Sequence, residues 1–268
     1  MTHASATPEV PQRRTSDRVI RIAAVGDIHC GEEDRGAFRD HFARVNKDAD
    51  VLILCGDLTR RGLPAEFHTV IGELADVEVP IAAVLGNHDH ESGLAQEGEG
   101  ILRGRGIHML DSNPFQLNEH VGFVGTKGFM GGFGRAALTA FGEPETKAFV
   151  NATLDEVQRL EMGLRRLASP VRIAVLHYAP IAGTVAGEPE VIYPFLGCDR
   201  LAEPLDRYEA TAVFHGHAHT GAFEGRTPGG VPVYNVSLPV LRKIGVGTLY
   251  YVHEVAVSAL GGGGKRRG

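Results

Sequence analysis

The sequence predicts an α/β sandwich of two sheets with helices on the outside. Three observations lead there. Short apolar runs rich in β-branched residues end at glycine, stretches with helical spacing separate them, and the two kinds alternate along most of the chain.

The run VIRIAAVG (19–26) reads as a buried strand closed by glycine. RGAFRDHFARVNKD (35–48) carries Phe38, Phe42 and Val45 at helical spacing. DVLILCG (50–56) is a second buried strand, the stretch after Pro64 a second helix with proline in its first turn, and VPIAAVLG (79–86) a third strand. This βαβαβ order implies right-handed parallel connections with helices covering the sheet. Shorter strand-like pieces, IHML and VGFVG, fall within 107–125, and a glycine-rich loop, GTKGFMGGFG, occupies 125–134. The longest helix is expected at about 144–168, with Val150, Leu154, Val157, Leu160, Leu164 and Leu167 near one face. VRIAVLH (171–177), a long loop, ATAVFHG (210–216), GVPVYNV (230–236) and GTLYYVHEV (247–255) complete the pattern.

The 268 residues are 43% hydrophobic and 22% charged, ordinary values for a globular chain able to bury a substantial core. We expect one domain over 18–258, a disordered leader over 1–17 without the apolar core of a signal peptide, and a flexible tail over 259–268 with four consecutive glycines. A formal charge of −6 argues against a surface built for long nucleic acid. Cys30, Cys55 and Cys198 are odd in number and far apart, so neither a disulfide framework nor a zinc ribbon is legible. No apolar run reaches the length needed to span a bilayer. These features suit a reducing compartment, and the expected location is the cytoplasm.

The chemistry sits just past the strand ends. GDIH presents Asp27 and His29, GDLT presents Asp57, and GNHD presents Asn87, His88 and Asp89. VRIAVLH delivers His177, and VFHGHAHTG delivers His217 and His219. Sites in open α/β sheets form outside the carboxyl ends of strands, so five such ends form a converging polar cluster. Carboxylate oxygen and imidazole nitrogen suit Mn, Fe, Co, Ni or Zn. One carboxylate can bridge two such ions, and Gly26, Gly56, Gly86 and Gly216 allow tight turns and close backbone approach.

Taken together and in this order, GDIH, GDLT, GNHD, H and GHAH resemble the five-block signature of the calcineurin-like metallophosphoesterases over residues 26–219. The resemblance implies a four-layer αββα fold and a dinuclear centre of divalent or mixed-valence transition metals, Mn or Fe first, with Zn, Co or Ni as alternatives. It implies that Asp27, His29 and His219 hold one ion, that Asn87, His177 and His217 hold the other, and that Asp57 bridges them. His88 is then the acid–base group beside the phosphate, oriented by Asp89. The implied reaction is hydrolysis of a small phosphate ester by metal-activated hydroxide, without a phospho-enzyme. His215 lies outside the blocks and is expected to be structural or to support the ligands from behind, and Cys30 a packed small residue.

Two features narrow the substrate. Arg60 stands where phosphoprotein phosphatases of the superfamily carry an acid, whereas GDLTRRGLPAEF resembles the bacterial cyclic-nucleotide phosphodiesterase-like branch. A small phosphodiester is therefore the expected substrate. A phosphomonoesterase, a nuclease and a non-catalytic scaffold on the same fold are the alternatives. Lys127, Phe129 and Phe133 in the glycine-rich loop could meet an anion or serve a plain strand connection. The loop at 178–198, directly after His177, is expected to face substrate.

Overall fold

The computed structural model describes residues 18–257, Ser112 excepted, and the expected leader and tail lie outside them. Four strands, β1 (Arg18–Val25), β2 (Val51–Cys55), β3 (Ile81–Val84) and β4 (His108–Met109), run parallel as neighbours. A second sheet follows: β5 (Phe115–Gln116), β6 (Val121–Thr126), β7 (Val171–Leu176), β8 (Ala212–His215), β9 (Glu224–Arg226) and β10 (Pro232–Asn235), in the order β5-β6-β7-β8-β10-β9. Its inner strands are parallel and its two edge strands antiparallel. Finally β11 (Tyr251–Val257) returns to the first sheet, antiparallel to β1.

Burial explains this arrangement. Strands β2 and β3 are buried at every residue, as strands covered on both faces must be. In the second sheet, alternate residues divide between two cores. Phe123, Ile173, Val175 and Phe214 join the large cluster shared with the first sheet. Val124, Ala174, Leu176 and Val213 face Leu160, Leu164 and Leu205 in a separate cluster. The sheets therefore pack face to face with helices outside.

The helices are α1 (Arg39–Ala43), α2 (Val45–Asp48), α3 (Pro64–Glu73), α4 (Ala95–Gly104), α5 (Pro144–Arg166), α6 (Tyr193–Leu196), α7 (Ala202–Arg207) and α8 (Leu238–Lys243). The continuous helix expected over 35–48 is instead two short ones. The Glu73 carboxylate accepts the backbone N–H groups of Gly36 and Phe38, and Gly36 is left-handed at φ +81°, so helical turns begin only at Arg39. The inner face of α5 also differs from its apolar stripe. Thr153, Glu156 and Gly163 are buried, while Leu154 and Val157 are half-buried. Glu156 can be interior because its Oε2 accepts Gly128 N–H at 3.0 Å and the Thr126 hydroxyl. Among the described residues, no helix is long and apolar enough to cross a membrane.

Candidate metal centre

Each expected ligand leaves a strand of the two sheets at its carboxyl end. β1 delivers Asp27 and His29, β2 Asp57, β3 Asn87, β7 His177, and β8 His217 and His219. The chain turns abruptly at these points. Among the described residues, five non-glycines have positive φ, and four of them are Asp27 (57°), His29 (45°), Asp57 (48°) and His217 (69°). A left-handed Asp or His is strained, and such strain persists only where surroundings impose it, most often at functional sites. The glycines give the needed room. A Cβ on Gly86 would overlap Asp57 Oδ1, and one on Gly216 would overlap Asp27 Oδ2.

These side chains gather into two groups. Asp27, His29 and His219 place one ligand atom each within 4.8 Å of one another, and so do Asp57, His177 and His217. Asn87 joins the second group, its Oδ1 lying 2.9 Å from His177 Nε2. Asp57 stands between them, with Oδ2 3.7 Å from His29 Nε2 and Oδ1 3.4 Å from His177 Nε2. The residues singled out in the sequence thus lie close together, with Asp57 within 4 Å of a histidine from each group.

The donor chemistry fits bound cations. His177 is fully buried, and burial, reinforced by His217, drives its pKa well below the ordinary value, so its ring is neutral and carries one proton. With that proton donated from Nδ1 to Cys55 O at 3.0 Å, Nε2 presents a lone pair to the oxygens of Asn87 and Asp57. Two oxygens and an imidazole lone pair directed at one point are a donor set that a cation can take, and a ligand imidazole anchored through its other nitrogen is the usual metal arrangement. His29 Nε2 is buried without a hydrogen-bond partner among the described residues, and burial lowers its pKa to about 4. Burial, with Asp27 and Asp89 nearby, raises Asp57 to about 9, the response of a carboxyl that lacks a counter-charge. Burial also pushes Asp27 upward, but the His219 hydrogen bond at 2.9 Å and the adjacent histidines outweigh it and hold Asp27 below its ordinary value.

His88 lies at the more open side. Its ring meets His29 edge-on with centroids 4.7 Å apart, and one ring nitrogen lies within 4.8 Å of ligand atoms of His29 and Asp57. Its backbone N–H donates to Asp57 Oδ1 at 2.8 Å.

The orienting role expected of Asp89 takes a different form. Asp89 is fully buried and accepts from Leu58 N–H (3.2 Å), Thr59 N–H (2.8 Å), the Thr59 hydroxyl (2.6 Å) and Gly86 N–H (2.8 Å). It ties the turn after β2 to the turn after β3. The His88 ring is held by the carbonyl of Arg60, 2.9 Å from Nδ1, with the Glu91 carboxylate 3.4 Å from the same nitrogen. Asp89 therefore positions the loop that positions His88. The buried carboxylate prefers four fixed donors to one half-exposed ring. Thr59, the last residue of GDLT, is a member of this scaffold that the sequence reading passed over, and its place inside the block is the signal that could have found it.

His215 is buried and bonded through Nε2 to the Thr184 hydroxyl at 2.8 Å and through Nδ1 to Gly216 O at 2.8 Å. Cys30 is a buried free thiol outside the ligand groups. The loop after β7 packs directly on the ligand segment. Phe195 O lies 3.1 Å from His217 Nε2, and Glu188 Oε1 accepts Thr220 N–H at 2.7 Å.

Comparison with known proteins places this geometry in context. The sequence profile described as calcineurin-like phosphoesterase matches residues 20–221. A probable cyclic nucleotide phosphodiesterase of Fibrobacter succinogenes is 31% identical over 83 residues, covering 27% of this chain and 32% of the relative, so the match spans about a third of that protein. Among solved structures, phosphopantetheinyl hydrolase from Mycobacterium tuberculosis superposes with a TM-score of 0.61 at 14% identity, covering 91% of this chain and 98% of its own. The anchor protein in the inner membrane complex of Plasmodium superposes with a TM-score of 0.52 at 13% identity, covering 82% and 72%. At such identities the structural likenesses speak for the fold alone.

Proposed function

The chain belongs to the calcineurin-like phosphoesterase family, and from that premise we propose that it is a dinuclear metal-dependent hydrolase of a small phosphodiester, with cyclic nucleotides the first class to test. The observation that carries this reading is Asp57, a buried carboxylate with Oδ2 toward His29 of one ligand group and Oδ1 toward His177 of the other. Asp27, His29 and His219 would hold one ion, and Asn87, His177 and His217 the other. Bound there, divalent cations supply charge neutralisation for the phosphoryl oxygens and an activated water at neutral pH.

The protein's own groups do the rest. With Nδ1–H donated to Arg60 O, His88 would act through Nε2, giving a proton to the leaving oxygen from its doubly protonated form and ending as the neutral ring. The loop after β7 closes one side of the site through Phe195 and limits the size of the ester that can approach. The partial match to a probable cyclic nucleotide phosphodiesterase supports a diester over a monoester.

The test is a parallel screen of cyclic nucleotides, model diesters and model monoesters with the metal-stripped protein reloaded with Mn, Fe, Co, Ni or Zn. The reading expects chelator-sensitive hydrolysis that is fastest on a small diester. A protein that is inactive on every ester with every metal, though folded, would point to the scaffold alternative.

A further inference from the structure

A cavity of about 290 Å³ lies beside the second ligand group, at the ends of β3, β4 and β6, lined in part by Leu85, His90, Asp111, Lys127, Glu156 and Arg159. Leu85 directly precedes the Gly86–Asn87 turn, and the Lys127 carbonyl accepts the backbone N–H of His177 at 3.1 Å. The cavity is therefore built on segments that lead directly into the candidate centre.

Its charges are unevenly satisfied. Glu156 Oε2 accepts from Thr126 and Gly128, while Arg159 Nη1 lies 3.3 Å from Glu156 Oε1 and 3.4 Å from Asp111 Oδ2. Lys127 has no ion pair among the described residues. Its Nζ donates one bond, to Gly128 O at 2.9 Å, although an ammonium has three protons to give. The aromatic faces of Phe129 and Tyr178, with centroids 4.7 Å and 5.1 Å away, hold the cation without neutralising it. Tyr178 in turn packs on the ligand imidazoles, its ring 4.4 Å from that of His217 and 5.4 Å from that of His177. Asp111 Oδ1 has no hydrogen-bond partner among the described residues, so the lining also offers a free acceptor to a donor on the ester.

We propose that Lys127 is a substrate-binding residue whose ammonium takes an anionic oxygen of the phosphoryl group beside Asn87 and His177, with the cavity receiving a compact polar part of the same ester. Lys127 lies outside the five sequence blocks. The proposal rests on the phosphoesterase reading and adds to it a binding group and a size limit. A lysine that merely braced the glycine-rich loop would serve through its stem and its packing on the two rings, and its charge would be dispensable.

The distinguishing experiment titrates inorganic phosphate calorimetrically into the manganese-loaded wild type, K127M and K127Q. Methionine keeps the apolar stem against Phe129 and Tyr178, and K127Q carries the test should K127M fail to fold. Loss of a charge-assisted bond predicts phosphate affinity weaker by about tenfold or more in both variants, with metal content unchanged. Affinity within twofold of wild type would overturn the proposal. So would loss of metal, which would make Lys127 a support of the centre. If the wild type neither binds phosphate nor hydrolyses any ester, the phosphoesterase reading itself falls. That result differs from wild-type binding that Lys127 variants leave intact.

Discussion

Replacing Asp57 by asparagine should shift stability in opposite directions with and without metal. In the metal-free protein, Asp57 holds its proton up to about pH 9, whereas the unfolded chain releases it near 3.8. Between those values the folded state binds the extra proton, so this residue costs stability as pH rises through the window. From 3.8 to pH 7 roughly three pH units accumulate at about 1.4 kcal/mol each, a ceiling of about 4 kcal/mol. Asp27 and Asp89 lie close enough to take up part of that repulsion, so a gain of about 2 kcal/mol or more is expected for metal-free D57N at pH 7. The gain should shrink toward pH 5. With metal the order reverses. An ion at a hundredfold its dissociation constant adds about 2.7 kcal/mol to the folded state, and D57N should forfeit much of this at both positions. Urea melts of both proteins at pH 5, 7 and 8, with chelator and with manganese, read all these quantities. Metal-free D57N that is less stable than wild type at pH 7, or a gain on D57N that does not grow from pH 5 to pH 7, would refute the reasoning.

Other outcomes follow from the same geometry. H88A should keep its metal content and lose about a hundredfold in turnover, less on an ester whose leaving group needs no proton; loss of an ion would make His88 a ligand. D89N should lose about 3 kcal/mol or more by setting an amide NH2 against donors that now meet a buried carboxylate, measured by urea melts. Shortening the 184–192 segment should change the ratio of activities on small and bulky esters more than it changes metal content. Hydrolysis of a small diester should respond only weakly to added salt, whereas efficient cleavage of duplex DNA that falls steeply with salt would favour a nuclease.

Much of the fold and the ligand set was legible because both depend on local signals. The strands β2 and β3 are continuous apolar runs, β1 is one after Arg21, and each leads to a glycine followed by its polar block. What escaped depends on tertiary contacts. Helix α4 carries Gly98, Gly100 and Gly104, each costing about 1 kcal/mol in a helix, so its sequence argues against itself. The structure needs that weakness at Gly98, where a Cβ would overlap the Phe67 ring of α3. The edge strands β5 and β9, two and three residues long, are too short to show a period. Glu156 faces inward on α5 because of Thr126 and Gly128, residues distant in sequence that no helical pattern can announce. The separate duties of Asp89 and the Arg60 carbonyl were likewise invisible, since they arise where the turns after β2 and β3 meet.

The central claim is that one buried carboxylate joins two ligand groups, and counting metal ions tests it most directly. Elemental analysis of the wild type reloaded with manganese should give two ions per chain, with D57N losing from both positions and H29A losing chiefly one. A single ion per chain in the fully active wild type, held through prolonged chelation and unaffected by D57N, would contradict it.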